Sequence, residues 1–274
     1  LKLTDYFALS VFFIVLGTFV YLIVYSFFGI IIRPIVNFIQ LSKPLHPLFV
    51  KILEEKFPYY NSLNRKEKKE FAYRLNYFLR SKDFYGRQNL EITDEMKIMV
   101  GASAVQITFG FEPLQLASFD KIILYPKAYY SKYTKGKNKG EVNSAGIIVF
   151  SWEDFLKGYQ ISTDGYNVGL HEMAHAIKIE DFTPTSECAF LDETILMHWQ
   201  NLTNVEMRKI RNGENNFLRS YAGTNREEFF AVCVEQFFEQ AEEFQKYHPE
   251  LYFTLAELLN QDPLDRKRHY DKGA

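Results

Sequence analysis

A chain that puts His171-Glu172-Met173-Ala174-His175 to work as an H-E-x-x-H must fold that stretch as a helix. In an α-helix, residues i and i+4 sit one turn apart on the same face, so two imidazoles can close on one metal ion. Glu172, one step round, can point at water held by that ion. Zinc takes imidazole nitrogen readily and keeps one position open at catalytic sites. With 6 His and at most 34 Glu in 274 residues, random order gives the pattern in only about one or two chains per hundred, so a chance match is the poorer reading. The flanks agree. Asp164-Gly165 offers a helix start, and Val168, Met173, Ala174 and Ile177 form an apolar stripe at helical spacing. The motif predicts a helix that holds one zinc ion per chain.

The rest of the chain narrows the class. A formal net charge of −2 argues against nucleic acid as a partner. Cys188 and Cys233 make no disulfide framework, and Cys233 falls in an apolar helical pattern that reads as core. Tyr6 to Ile32 carries no charge between Asp5 and Arg33. As a helix it would be about 40 Å long, more than the roughly 30 Å hydrocarbon core of a bilayer, which predicts one transmembrane helix. Arg33, Lys43 and Lys51 follow the span and Lys2 precedes it, so the positive-inside rule places the remainder in the cytoplasm, with a bacterial inner membrane as the expected location. The expected organisation is an anchor over residues 1–34, a membrane-proximal connector over 35–63 punctuated by Pro44 and Pro47, and a globular domain over 64–274.

Within that domain, Asn64 to Ser81 reads as a helix with Phe71, Leu75, Phe78 and Leu79 inward. Leu90 to Ile92 reads as a short strand, and Thr93 caps a helix that Gly110 ends. Lys121 to Tyr125 and Gly146 to Phe150 are β-branched apolar runs, hence strands, with a lysine-rich hairpin tip between them. A strand shortly before the H-E-x-x-H helix suggests a sheet edge beside the site, where an extended peptide can pair. Thr224 caps a further helix, with Glu227 at the capping-box position, that runs to about Gln240. The fold class expected is α+β, mainly helical, with a small sheet beside the active-site helix and a transmembrane helix in front.

A catalytic zinc needs a third protein ligand. No third His follows at the ten-residue spacing, since position 185 is Thr. Spacing favours Glu193, 18 residues after His175. Texture favours Glu228, which enters an aromatic, apolar helix where an unpaired carboxylate would be costly. The residues alone leave both open.

Asn167 to His175, followed by Tyr221-Ala222 and by Glu227 to Val232, resembles the Mlc titration factor A family of zinc-dependent peptidases. Ile123 to Pro126, Lys139 to Val142, Ser151-Trp152 and Tyr247 to Tyr252 agree, and the resemblance covers roughly residues 71–263. The core also looks like that of the anthrax lethal factor metalloprotease, in which a Tyr stands seven residues before the ligand Glu, as Tyr221 stands before Glu228. The resemblance implies a zincin-like domain in which His171, His175 and Glu228 bind zinc, Glu172 is the general base and Tyr221 stabilises the oxyanion. It implies hydrolysis of peptide or protein substrates, and leaves aminopeptidase or endopeptidase action open. A regulatory protein such as a transcription factor is a second class of partner. The other reading of the chain is accordingly a binding protein that sequesters such a partner, with zinc mainly structural. Lys178 departs from the family, which usually has Asp there, so either Glu180 or Asp181 orients a ligand His in its place or no residue does. Glu235, seven residues after Glu228, can hold Tyr221 or a ligand His, or form an ordinary salt bridge.

Overall fold

The computed structural model describes residues 16–19, 21, 44–111, 116–181, 193–214 and 217–265. It divides into two units, Leu1–Pro44 and Leu45–Ala274. In the first unit only residues 16–19, 21 and 44 are described, and residues 16–19 and 21 are helical. The rest of the expected span lies outside the described residues. Among the described residues no helix is long and apolar enough to cross a membrane, so the transmembrane part of the expected fold class has no support here.

The second unit begins with α1 (Pro47–Lys56) and α2 (Pro58–Asn61). Each has Pro at its first position, where the missing N–H costs no hydrogen bond. Residues 45–63, expected within a connector, lie inside this unit. Leu53, Phe57, Tyr60 and Leu63 are buried, and Phe57 stacks on Tyr159 at 4.8 Å between ring centroids. Aromatic rings spaced to meet distant partners, rather than a regular periodicity, tie this stretch to the core. Phe57→Ala should therefore lower the unfolding free energy by about 3–5 kcal/mol, measured by urea denaturation. A loss below about 1 kcal/mol would show that this stretch stands outside the cooperative unit.

Next come α3 (Arg65–Ser81), β1 (Asp83–Gly86) and α4 (Asp94–Thr108). Asn64 and Glu67 close a capping box on α3, whose Phe71, Leu75 and Phe78 point inward. The strand expected at Leu90 to Ile92 is absent. Gln88 and Asn89 take positive φ after β1 and turn the chain back, so that Leu90 lies against Gly86 and pairing ends there. Thr93 caps α4 as expected, accepting from Met96 N at 3.3 Å. Residues 98–108 of that helix are all buried, which makes α4 the central helix rather than an amphipathic one.

Five strands and six helices complete the described order. They are β2 (Lys121–Tyr125), β3 (Tyr129–Ser131), β4 (Gly136–Asn138), β5 (Gly140–Asn143) and β6 (Ile147–Ser151). Then follow α5 (Trp152–Gln160), α6 (Val168–Asp181), α7 (Glu193–Arg211), α8 (Arg226–Glu239), α9 (Ala241–Tyr247) and α10 (Pro249–Leu259). A 3₁₀ turn at Ser220–Gly223 precedes α8. The main sheet has the order β1-β2-β6-β5, and β3 and β4 form a separate ribbon.

The two strands read from the sequence exist, but they are not the arms of one hairpin. β2 and β6 pair in parallel, Lys121 with Ile147 through Tyr125 with Ser151. A parallel pair needs a long crossover, and this one contains the β3–β4 ribbon and β5. β5 then pairs antiparallel with β6 and forms the edge of the sheet. α6 packs against α4, α8, β5 and β6, so the H-E-x-x-H helix lies between the helical core and that edge. The architecture is mainly helical α+β with small sheets.

Candidate active site

Two helix starts set the site. Asp164 accepts from Tyr166 N in a tight turn, so the helix begins three residues later than its Asp-Gly pair suggests. Asn167 is the cap: its Oδ1 accepts from Leu170 N at 3.0 Å. At α8 the cap is Asn225, not Thr224. Asn225 Oδ1 accepts from Glu228 N at 2.8 Å, while Thr224 closes the preceding 3₁₀ turn. Glu228 thereby sits in the first turn of α8, where a carboxylate suits the helix dipole.

These two starts bring His171, His175 and Glu228 together. Their ligand atoms lie within 4.8 Å of one another, the group of this kind found among the described residues. The separations are 3.2 Å between the two Nε2 atoms, 2.9 Å from His171 Nε2 to Glu228 Oε2 and 3.7 Å from His175 Nε2 to the same oxygen. A tetrahedral ion bonded at roughly 2.0–2.1 Å needs donors about 3.3 Å apart, so the donor set fits one. Glu193, which spacing favoured, is exposed at the start of α7 and lies outside the cleft.

Glu235, only 1% exposed, faces the other nitrogen of His171, with Oε1 2.7 Å from Nδ1. A proton assigned to Nδ1 leaves the Nε2 lone pair for a metal, the usual division of labour in a ligand His. Asn167 N donates to Glu235 Oε2 at 2.7 Å, and the Arg219 guanidinium engages both oxygens. Glu180 does not orient a ligand: its two oxygens accept from Ala117 N and Ser118 N, each at 3.0 Å. The side chain of Asp181 lies outside the described residues. Lys178 lines the cleft, with Nζ 5.6 Å from the Phe230 ring centroid.

Burial sets the charge states. It would depress His171, but the carboxylates of Glu228 and Glu235 outweigh it and lift the imidazole to about 10. Burial likewise pushes Glu172 up to about 7 against the pull of His171 and His175. Glu228 is also partly desolvated, yet hydrogen bonds from the two imidazoles hold it well below the usual carboxylate range. Tyr221 is raised to about 12 by burial and then by the Glu228 carboxylate. Its ring centroid lies 6.1 Å from that of His171, and the residue is 48% exposed on the 3₁₀ turn.

The cleft has a volume of about 730 Å³. Its walls are α6, the turn bearing Tyr221, and the strand β5, whose Gly140 abuts Glu172 so closely that a Cβ would strike the carboxylate. Arg219 and Asn225 are site residues that sequence reasoning did not find, and Gly140 and Asn167 stood in the resembling stretches without a role. Only the two asparagines left a local signal, each standing where a helix cap is allowed.

The sequence profile of the glucose-regulated metallo-peptidase M90 family matches residues 37–259. The chain belongs to this family. Relatives support the placement within M90. An uncharacterized protein from Synechocystis is 26% identical over 239 residues, covering 81% of this chain and 87% of its own. Mlc titration factor A from Escherichia coli is 25% identical over 231 residues, 77% and 86% of the two chains, and that from Enterobacter is 25% identical over 242 residues, 79% and 89%. The resemblance drawn from motifs is thus shown over most of the chain. M90 membership indicates a metallopeptidase, which implies a metal, and His171, His175 and Glu228 are a group able to bind one.

Proposed function

We propose that this M90 member is a zinc-dependent peptidase whose catalytic groups are His171, His175 and Glu228 as ligands, Glu172 as general base and Tyr221 as oxyanion donor. The observation that carries the reading is the convergence of two Nε2 atoms and one carboxylate oxygen beside a buried glutamate that is not among them. Two imidazoles and a carboxylate are a donor set that suits zinc. When bound there, zinc supplies a Lewis acid that polarises a carbonyl and makes water acidic near neutral pH.

The remaining work falls to the chain. Glu172 takes a proton from the attacking water and delivers it to the leaving amine, a role typically worth 10²–10⁴-fold. Tyr221, exposed to the cleft and protonated across the physiological range, donates its hydroxyl to the developing oxyanion. Glu235 holds the His171 ring so that Nε2 faces the ion. The edge of β5 not used by β6 offers backbone groups to an extended peptide. Purified full-length protein should carry about one zinc per chain and cleave members of a peptide library, and chelation should remove both. Hydrolysis that persists in the metal-free protein would overturn the proposal.

We further infer, from the uncharged run Tyr6 to Ile32, that the chain is anchored in a bacterial inner membrane with its catalytic domain in the cytoplasm. The protein should sediment with membranes and resist alkaline carbonate extraction; release by carbonate would exclude the anchor. The relatives' name, Mlc titration factor A, supports a regulatory protein such as a transcription factor as partner. Sequestration of such a partner is the second reading. Glu172 and Tyr221 favour catalysis, since neither is needed merely to hold a metal.

A further inference from the structure

Lys127 to Lys139 contains five lysines and no acidic residue, in a chain whose net charge is −2. This segment folds as the β3–β4 ribbon, and Asn138 is followed after one residue by β5. Tyr129 and Ser131 turn inward, while Tyr130 is 68% and Tyr133 79% exposed and all five lysines are at the surface. Two of the lysines meet carboxylates of α5, Lys127 with Glu153 at 3.6 Å and Lys139 with Asp154 at 3.2 Å. Lys132, Lys135 and Lys137 have no carboxylate within ion-pair distance among the described residues. The ribbon also forms part of the cleft rim, through Tyr133, Thr134 and Asn138. Exposed aromatic side chains beside unpaired ammonium groups suit a binding surface better than an inert loop.

Strand direction says which part of a substrate meets this surface. An extended peptide is held more firmly on β5 in the antiparallel sense. It then runs from the Asn143 end toward Gly140 and leaves past Gly140, where the ribbon begins. Gly140 is the residue in contact with Glu172, so the bond to be cut lies near that end of the strand. Whatever follows the scissile bond is delivered to the lysines.

Resting on the peptidase reading above, we propose that the β3–β4 ribbon is an exosite for acidic protein segments, selecting substrates with Asp or Glu on the C-terminal side of the cleaved bond. Lys132, Lys135 and Lys137 supply the charge, and Tyr130 and Tyr133 supply apolar contact to the same segment.

The test uses the full chain and a neutral peptide that it cleaves, remade with three glutamates after the cut, with three before it, or with three lysines after it. At low ionic strength the first should be cut about tenfold faster in kcat/KM than the neutral parent, with the gap closing at about 1 M salt. The lysine peptide should be slower than the parent. K132E/K135E should erase the preference and leave the neutral parent's kcat/KM unchanged. Equal rates for all peptides would overturn the exosite, as would a preference that survives K132E/K135E. If K132E/K135E instead abolishes binding to vesicles of phosphatidylserine and phosphatidylcholine while peptide choice stays the same, the ribbon serves a lipid surface and the proposal fails. Should no peptide be cleaved, the peptidase reading fails, and fluorescence anisotropy of the labelled acidic peptide decides the exosite separately: binding lost in K132E/K135E supports it, and no binding overturns it.

Discussion

Glu172→Gln should leave the protein folded and its metal bound while peptide hydrolysis falls by at least about two orders of magnitude. The substitution keeps the shape of a side chain that is 7% exposed and wedged against Gly140. It touches none of the three ligand atoms, since His171, His175 and Glu228 make up the ligand group without it. What it removes is the capacity to accept a proton. Metal content by elemental analysis and turnover on the same preparation separate the two effects. Wild-type turnover in the variant would show that the base is another group.

Glu228→Ala is the complementary experiment, because it removes a proposed ligand and not the proposed base. Metal affinity, measured by competition with a chromogenic chelator, should fall at least about a hundredfold, and activity should fall with it. The fold should survive, since Glu228 lies at the first turn of α8 and the residues that anchor the helix, Phe229 to Phe237, remain. Glu193→Ala is the matching control. Its side chain is exposed and outside the cleft, so affinity and activity should match the wild type. The opposite pattern, metal lost with Glu193 and kept without Glu228, would overturn the assignment of the third ligand.

Local order was readable from the sequence where a few neighbouring residues decide it. The i, i+4 spacing of His171 and His175 commits them to one face, and the helix expected from Asn64 to Ser81 is there, over Arg65–Ser81 with Asn64 as its cap. Even so, choosing among adjacent cap candidates failed twice. Asp164 is as good a cap as Asn167 by type and Thr224 is only somewhat weaker than Asn225, so the path of the chain entering each helix decides. Pairing over distance was not readable. β2 and β6 have the composition of hairpin arms, and nothing local says that their ladder is parallel. Residues 45–63 look like a connector because their rings meet partners far along the chain, Phe57 with Tyr159 and Tyr59 with Phe238. The proposed third ligand fell between these cases. The cost of burying an unpaired carboxylate pointed to Glu228, and the family pattern agreed. Arg219 had no signal at all, because its partner Glu235 is on another element and its charge looks like any surface arginine until the two are seen together.

The route of the chain between β2 and β6 has a consequence for how such a peptidase diversifies. The ribbon is one excursion, leaving the sheet after Tyr125 and rejoining it at Gly140 on the cleft-edge strand β5. Both ends are fixed by ladder bonds to β6, and the proposed ligands come from α6 and α8, outside the excursion. Lengthening, shortening or recharging this stretch changes what the enzyme meets without altering how it cuts, and surface connections tolerate such changes at small cost. Selection can therefore retune substrate choice in the 14 residues 126–139 while the chemistry is inherited intact.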